Sequence, residues 1–329
     1  MIYINNDSKN PFFNLALEEY LLKYKFPHDN VLILWQSDPA VVVGRNQNTW
    51  QEINYRYVRE NNIHVARRLS GGGAVYHDRG NLNFTLILDN YRINKNDPSL
   101  FTRPIVYCLD KIGIKAETSG RNDILIDQKK ISGSARYIYK NKILHHGTLL
   151  FDSDLSALKR ALKPEINYLS TAVESVRSRV TNIKEHLYNN KIDLQTFKDL
   201  LLGSIVLHCD RVYEEYTLSY ADTHIVKKLM ASKYGTWDWN YGKSPPFTFV
   251  RKLSFGGGTL TVQMKVERGI IGECRLLGDM AREKPLKELA AILPGKKYEE
   301  HSLHALLSAA DQSAFTGTSA ATRFISALF

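Results

Sequence analysis

The stretch RRLSGGGAVYHDRGNLNFT, residues 67–85, places two arginines ahead of three consecutive glycines. Such a run is costly to order, because glycine loses more backbone freedom on folding than any other residue. A strand that leads into it exposes successive backbone N–H groups to an anion, and the arginines can add charge-assisted hydrogen bonds. The stretch lacks both the Gly-Lys-Ser/Thr of a Walker P-loop and the spacing of the dinucleotide fingerprint. It predicts a phosphate-binding loop or, alternatively, a flexible turn between two strands.

A second charged segment, GRNDILIDQKKISGSA, spans residues 120–135. Asp123 could supply a ligand to Mg²⁺, which takes one or two carboxylates together with phosphate oxygens. Lys130 could neutralise charge that develops in a transition state. The local charge pattern by itself favours a plain hairpin with solvated lysines, so the chemical interpretation needs support from elsewhere in the chain.

Two adjacent histidines occur in HHGTLL, residues 145–150. Neighbouring side chains on a strand point to opposite faces, so His145 and His146 are not expected to share a metal ion. One of them could face a site. The alternative is a structural histidine whose hydrogen bonds are satisfied within the protein.

The composition is ordinary for a globular protein, with 43% hydrophobic and 24% charged residues in a chain of 329. This length favours one large domain or two domains. Lys and Arg exceed Asp and Glu by 44 − 34 = 10, which favours an anionic partner such as a nucleotide, a nucleic acid or an acidic protein. Three widely spaced cysteines, no bilayer-length apolar run and no signal-peptide pattern indicate a cytoplasmic protein.

Apolar periodicity predicts a helix over residues 14–26. The β-branched runs at 31–35 and 40–44, separated by QSDP, are typical of a β-hairpin. Two prolines in YGKSPPF, residues 241–247, interrupt regular structure. Because strand groups are interspersed with helices along the chain, we expect an α+β fold with a domain boundary near residue 245.

Several long segments together resemble the bacterial lipoate–protein ligases. They occur in order between residues 12 and 247: FNLALEEYLL, LWQSDPAVVVGRNQN, RRLSGGGAVYHDRGNLNFT, GRNDILI, KISGSA, HHGTLLFDSDL, SVRSRVTNI and WDWNYGKSPPF. The region that follows resembles the accessory domain of the two-domain members, through much weaker motifs.

The resemblance implies a large α+β catalytic domain over residues 1–245, with a mixed sheet and flanking helices of the biotin/lipoate ligase type. A small α+β accessory domain would occupy residues 246–329. Lipoate and ATP with Mg²⁺ would give lipoyl-AMP and pyrophosphate, and the lipoyl group would then move to a specific carrier lysine. The implied carriers are the lipoyl domains of 2-oxoacid dehydrogenase E2 subunits and the glycine cleavage H protein. We expect a monomer that uses no flavin or haem and engages neither nucleic acid nor membrane.

The resemblance also implies functions for residues at matching positions. Lys130 would contact both the lipoate carboxylate and the α-phosphate, and Asp123 would lie near Mg²⁺. The implied contacts of ATP and lipoyl-AMP are Arg68, Gly73, Ala74, Val75, Tyr76 and Lys130. The implied lipoate pocket and its loop comprise Glu18, Trp35, Arg67, Ser70, Gly71, Gly72, His77, His146 and Thr148.

One position departs from the family pattern, since Leu69 stands where several relatives carry a third arginine. On a strand its side chain would point away from Arg68, so we expect little loss. No cysteine lies in a matched motif, which weakens a thioester mechanism. The alternatives are a lipoyltransferase that uses preformed lipoyl-AMP and a cysteine-dependent octanoyl or lipoyl amidotransferase of the same fold. A nucleic-acid-binding protein is permitted by the charge, but no motif supports it.

Overall fold

The computed structural model describes residues 1–89, 98–120, 122–188, 191–209, 212–255, 258–278, 283–309, 324–325 and 328–329. The chain divides into two compact units. The first consists of Met1–Arg45, Asn62–Leu162 and Ser175–Thr236, and the second of Asn46–Asn61, Lys163–Glu174 and Trp237–Phe329. Within the described ranges, every helix is too short or too polar to cross a bilayer.

The strands, in chain order, are β1 (Ile2–Asn5), β2 (Val31–Trp35), β3 (Ala40–Val43), β4 (His64–Arg67), β5 (Val75–His77), β6 (Asn81–Asp89), β7 (Glu117–Ser119), β8 (Asp123–Ile126), β9 (Lys129–Tyr139), β10 (Lys142–Leu150), β11 (Tyr168–Ser170), β12 (Glu214–Thr217), β13 (Phe247–Phe255), β14 (Gly258–Glu267) and β15 (Ile270–Gly278). The α-helices are α1 (Pro11–Tyr20), α2 (Thr49–Glu52), α3 (Tyr55–Glu60), α4 (Arg103–Lys111), α5 (Leu155–Ala161), α6 (Leu194–Cys209), α7 (Tyr220–Leu229), α8 (Glu283–Ile292) and α9 (Glu300–Ala309). Short 3₁₀ turns occupy Pro98–Phe101 and Ile183–His186, and π-helical turns occupy Leu21–Lys25, Met230–Tyr234 and Asp238–Gly242.

An eight-stranded mixed sheet forms the frame of the first unit, in the order β12-β1-β2-β6-β10-β9-β8-β7. Strand β1 runs parallel to both of its neighbours, whereas the other pairs are antiparallel. A smaller sheet has the order β4-β3-β5. The α+β fold with a large mixed sheet and flanking helices, expected from the sequence, is confirmed.

One face of the large sheet carries the hydrophobic core of this unit. Phe84 on β6 packs in one cluster with Ile105 and Cys108 on α4 and with Phe197 and Leu201 on α6. All five side chains are at most 2% exposed. Because helices cover this face, the opposite face of the same strands is left to build a site.

Helix α1 brings a carboxylate into the interior of the unit. The side chain of Asn10 accepts hydrogen bonds from the N–H groups of Phe12 and Phe13, and Pro11 takes the first helical position, where no N–H is needed. Most of α1 is buried, including Glu18, which is 3% exposed. A buried carboxylate must be hydrogen-bonded, so its partners identify the polar part of the interior.

The predicted hairpin between residues 31–35 and 40–44 is wrong. Strand β2 pairs with β1 and β6, whereas β3 pairs with β4 and β5 in the other sheet. Both strands are buried, and each is paired at both of its edges, so the segment between them carries the chain from one sheet to the other. The apolar, β-branched pattern identified the strands but could not identify their partners.

The second unit contains the four-stranded sheet β11-β13-β14-β15. An aromatic cluster holds it together: the ring of Trp50 lies 4.9 Å from Tyr298 and 5.3 Å from Phe329, and Phe247 and Phe249 pack in the same cluster. This unit also includes α2 and α3, which come early in the chain. The two units are therefore not two continuous halves of the sequence. The domain division at residue 245 stays a prediction.

Candidate active site

Polar side chains alternate with apolar ones along β6 and line the face of the large sheet opposite the core. In the antiparallel register, Thr85 lies opposite Ile33 on β2 and His146 on β10, and His146 lies opposite Ala135 on β9. Residues directly opposite each other share a face, so these four side chains form one row. The next row along the strands contains Trp35, Asn83, Thr148 and Gly133.

The glycine segment, Ser70–Gly73, follows β4 and is held by the two arginines that precede it. The guanidinium of Arg68 donates to Val42 O at 2.9 Å, Gly71 O at 2.6 Å and Gly73 O at 2.7 Å. Arg67 donates to the carbonyls of Gly44 and Arg45 at 3.0 and 3.1 Å. Both arginines are buried, and burial, together with the charge of Arg68, lowers the pKa of Arg67 to about 10. Arg68 thus binds two carbonyls of the glycine segment, and Arg67 binds the two carbonyls that follow β3, so both cations help to fix the position of the loop.

Glycine is required at Gly72 and Gly44. Gly72 has a φ of +85°, which an L side chain rarely adopts. A Cβ at Gly44 would lie 2.1 Å from the carbonyl oxygen of Gly72, so the loop can approach β3 only because no side chain intervenes. The N–H of Ala74 donates to Ser175 Oγ at 2.8 Å and fixes the far end of the segment.

A chain of hydrogen bonds runs from the glycine segment to α1. Ser70 Oγ lies 2.6 Å from His146 Nε2, and His146 Nδ1 lies 2.9 and 3.0 Å from the two carboxylate oxygens of Glu18. Thr85 Oγ1 donates to Glu18 at 2.5 Å, and Trp35 Nε1 donates to Thr85 at 3.0 Å. Because a carboxylate only accepts, Nδ1 of His146 is the nitrogen that carries the proton, and Nε2 accepts from Ser70 in the neutral imidazole.

Lys130 lies on β9, and its ammonium is 2.9 Å from Oδ1 of Asp123 on the neighbouring β8. Its backbone is fixed from the other side, since Lys130 N donates to Arg179 O at 2.8 Å and Thr181 N donates to Lys130 O at 3.1 Å. A Cβ at Gly133 would come within 2.8 Å of Lys130 Nζ, so the lysine side chain passes over that glycine. The lysine therefore lies against the polar rows described above.

His77 lies at the end of β5 beside Trp35, with an edge-to-face ring distance of 5.5 Å. Burial, followed by the charges of Arg68 and His146, lowers the pKa of His77 to about 3, so the ring is neutral near pH 7. Within the described ranges, no hydrogen-bond partner is found for the buried atoms His77 Nδ1, Asn81 Oδ1 and Asn83 Nδ2. Buried polar atoms without a protein partner are typical of a site completed by a ligand or by water.

Two families of known proteins match the chain over separate ranges. The lipoyl protein ligase A/B catalytic domain matches residues 10–206, and the bacterial lipoate protein ligase C-terminus matches residues 244–328. The chain belongs to the lipoate–protein ligase family. It is similar to lipoate-protein ligase LplJ of Bacillus subtilis (strain 168), with 40% identity over 302 residues and 91% of each chain covered.

Two further proteins show the same relationship. Lipoate–protein ligase 1 of Staphylococcus aureus (strain Mu50) is 39% identical over 308 residues, which is 93% of each chain. The crystal structure of P. falciparum LipL1 in complex with lipoate has a TM-score of 0.62 and 26% identity, and the match covers 99% of this chain and 98% of that one. The protein is therefore an enzyme of the ligase class, with the lipoate-ligase fold.

The ligase fold brings many of the residues predicted from the sequence into one region. Glu18, Trp35, Ser70, His77 and His146 are linked to one another by the contacts given above. Thr148 Oγ1 lies 3.4 Å from Gly133 N and so joins the same face near Lys130. Tyr76 is buried on β5, where it pairs with Val41 of β3.

Sequence reasoning missed Thr85 and Asn83, which the structure places in the polar rows beside His146 and Thr148. The alternation of polar and apolar residues in NLNFT was an available signal, because period-2 polarity on a buried strand indicates a second, polar face. It also missed Ser175, which is distant in sequence and is recruited only by folding. His145 lies on the opposite face as predicted, where its ring stacks on Phe101 at 4.1 Å.

The expectation that Leu69 continues a strand is wrong, because β4 ends at Arg67. Leu69 is 6% exposed and packs in the interior at the start of the glycine segment. An arginine here would place a third charge beside the buried pair Arg67 and Arg68, so the apolar residue is consistent with this packing.

Asp123 is a suitable single ligand for Mg²⁺, although it does not form a metal centre alone. Among the described residues, no group of three or more His, Cys, Asp or Glu side chains could hold a metal ion. Mg²⁺ commonly binds through one or two carboxylates together with substrate phosphates, so the single carboxylate of Asp123 fits that chemistry. Asp123 is 33% exposed at its side chain and therefore accessible.

Proposed function

We propose that this ligase activates free lipoate with ATP, forming lipoyl-AMP and pyrophosphate, and then transfers the lipoyl group to a lysine of a carrier domain. The observation that carries the proposal is the location of Lys130 on the same sheet face as His146 and Thr148, with Asp123 at 2.9 Å. A cation beside a phosphate loop would bind the carboxylate and the α-phosphate together, two anions that otherwise repel each other.

Lys130 and Asp123 would exchange partners when substrates bind. Asp123 would hold Mg²⁺, and the Lys130 ammonium, no longer paired with that carboxylate, would contact the reacting groups. The ion would supply charge neutralisation for the departing pyrophosphate. Gly73 and the run Ala74–Tyr76, together with Arg68, would bind the nucleotide.

The lipoyl chain would lie between the polar face of the large sheet and the glycine segment. Trp35 and the neutral ring of His77 provide an apolar wall for a dithiolane and its alkyl chain. The LipL1 structure was determined with lipoate, which supports the same acyl specificity for this chain.

The carrier partners would be lipoyl domains of 2-oxoacid dehydrogenase E2 subunits and the glycine cleavage H protein. The formal net charge of +10 supports an acidic partner, because opposite fields accelerate encounter. We also propose that the protein acts in the cytoplasm as a monomer, in keeping with the free thiols of Cys108 and Cys274.

The test is ATP–pyrophosphate exchange across lipoate, octanoate and biotin, without a carrier. We expect exchange with lipoate, and octanoate and biotin define the acyl specificity. If lipoate gives no exchange while synthetic lipoyl-AMP still supports transfer, the protein is a lipoyltransferase and the activation step is refuted.

A thioester route is separated from this mechanism by alkylation of the cysteines. Burial raises the pKa values of the Cys108 and Cys274 thiols to about 12, which makes both poor nucleophiles. The third cysteine, Cys209, is the last residue of α6 and does not belong to the polar rows. We expect alkylated, folded protein to retain transfer; complete loss would favour the cysteine-dependent amidotransferase.

A further inference from the structure

We propose that Ser70, His146 and Glu18 form a proton relay that accepts a proton from the carrier lysine during lipoyl transfer. The inference rests on the proposed function, in which a lysine amine attacks lipoyl-AMP. It assigns to named side chains the general base that such an attack requires.

The three side chains have the geometry of a base that is oriented by a carboxylate. Ser70 Oγ is 2.6 Å from His146 Nε2, and His146 Nδ1 is 2.9 Å from Glu18 Oε1 and 3.0 Å from Oε2. Exposure is 0% for Ser70, 7% for His146 and 3% for Glu18, so water does not replace these bonds. A histidine held this way has Nε2 ready to accept a proton, and the carboxylate stabilises the imidazolium that results.

Both ends of the relay are fixed by further hydrogen bonds. Arg68 Nε donates to Ser70 Oγ at 3.0 Å, so the serine directs its own proton to His146. The same guanidinium would stabilise negative charge on Oγ while that proton moves. At the other end, Thr85 Oγ1 donates to Glu18 at 2.5 Å and holds the carboxylate in place.

The other titratable groups around His146 do not compete for the proton. His77 on β5 is neutral, because burial first and then Arg68 and His146 lower its pKa to about 3. His145, the neighbour on β10, is neutral for the same main reason, burial, with Arg136 and His146 adding to the effect. Glu18 is the carboxyl group that contacts His146, and Arg68 is the guanidinium that contacts Ser70.

The relay and Lys130 face the same part of β9. His146 lies opposite Ala135, and a Cβ at Gly72 would be 3.9 Å from the Cβ of Ala135. Gly133 lies two residues before Ala135 on the same face of β9, and a Cβ at Gly133 would be 2.8 Å from Lys130 Nζ. Lys130 and the glycine segment that begins with Ser70 thus approach the same face of β9, and an acyl phosphate bound by Lys130 would lie between them.

The proton and electron balance of the step is complete with these groups. The carrier ammonium first loses one proton to solvent, and the neutral amine then attacks the acyl carbon. A C–N bond forms, the bond from that carbon to the phosphate oxygen breaks, and AMP leaves with the electron pair. The excess proton on nitrogen passes to Ser70 Oγ while the hydroxyl proton of Ser70 passes to Nε2 of His146. The imidazolium returns its proton to solvent after the products leave.

The experiment separates the two half-reactions in His146→Gln and Glu18→Gln. Exchange of ATP with pyrophosphate reports activation, and transfer from synthetic lipoyl-AMP reports the second step. Transfer is measured to a carrier lysine and to hydroxylamine. After hydroxylamine attacks, its nitrogen is acidic enough to lose a proton directly to water, so this reaction does not need the relay. We expect His146→Gln to slow transfer to lysine about 10²- to 10⁴-fold. Because both residues also belong to the implied lipoate pocket, exchange and hydroxylamine transfer measure the loss due to that pocket, and lysine transfer should fall at least tenfold further than either in both variants.

The matched control is His145→Gln, on the same strand but on the opposite face. It should leave the ratio of lysine transfer to hydroxylamine transfer unchanged even if its thermal midpoint falls. An equal loss of exchange and of both transfers in folded His146→Gln would overturn the relay, because a purely structural contact predicts that pattern. An unchanged rate of lysine transfer would overturn it as well.

Failure of the proposed function gives a different result. Wild-type protein that shows no exchange but still transfers from lipoyl-AMP refutes activation and leaves the relay tested by the transfer measurements. Wild-type protein that also cannot use lipoyl-AMP refutes both proposals.

Discussion

The ammonium of Lys130 lies 2.9 Å from the carboxylate of Asp123, on the strand that pairs with its own. The two side chains are 25% and 33% exposed, and ion pairs of this kind contribute little to folding stability. The pair can therefore be broken by substrate at small cost, and a variant at either position should change chemistry far more than stability.

Lys130→Leu should fold normally and lose lipoyl-AMP formation by several orders of magnitude, because the variant lacks the cation that would neutralise the reacting anions. The measurements are ATP–pyrophosphate exchange and the thermal midpoint. Lys129→Leu is the matched control, since Lys129 is exposed at the start of the same strand. Near-normal exchange in Lys130→Leu would contradict the assignment.

Asp123→Asn should raise the Mg²⁺ concentration needed for half-maximal exchange, because a charged oxygen ligand is lost. The comparison is a Mg²⁺ titration of variant and wild type at saturating ATP and lipoate. An unchanged Mg²⁺ dependence, with only a lower maximal rate, would show that Asp123 acts on Lys130 rather than on the metal.

Gly72→Ala should lower the free energy of unfolding by about 1–2 kcal/mol, because a Cβ is unfavourable in the left-handed region. The new Cβ would also lie 3.1 Å from Arg68 Nη2, which anchors the loop. Gly71→Ala is the control for stability, since nothing lies within 4 Å of its added Cβ. Denaturant unfolding of both variants checks the difference, and equal stability would contradict a strained position at Gly72.

The free energy of unfolding should fall as the pH decreases from about 6.5 towards 3, in part because of His77. Its pKa is lowered to about 3 in the folded state, chiefly by burial, so only the unfolded chain takes up a proton in this range. In His77→Gln the unfolded chain can no longer take up a proton at this position. Between about pH 7.5 and 5, the free energy of unfolding of the variant should therefore fall less than that of wild type, by at most about 2 kcal/mol. Identical pH profiles would show that His77 is protonated in the folded protein.

Transfer to the carrier should weaken with added salt, whereas activation of lipoate should not. The formal net charge of +10 favours steering of an acidic carrier, and salt screens charges that are separated by more than about 8–10 Å. The measurements are kcat/KM for the carrier and exchange without carrier, each over a series of salt concentrations. A carrier kcat/KM that is independent of salt would contradict electrostatic steering.

The local pattern of the sequence predicted a helix over residues 14–26 and strands at 31–35 and 40–44, which overlap α1, β2 and β3, because helical periodicity and β-branched runs are properties of short segments. The predicted pairing of β2 with β3 failed, since the two strands are close in sequence but belong to different sheets. Their partners depend on long-range burial, which a local window does not contain.

By itself, the sequence determined the chemical inventory: a bare glycine loop beside two arginines, a lysine and an aspartate in the following hairpin, and a histidine on a buried strand. Only the tertiary structure decided how they act together. It directs the guanidinium of Arg68 into the loop carbonyls, pairs Lys130 with Asp123, and joins Ser70, His146 and Glu18 across 128 residues of chain. The physical reason is that these buried hydrogen bonds depend on the register of the strands and on the position of α1 against the sheet. Both are fixed only when the whole core forms.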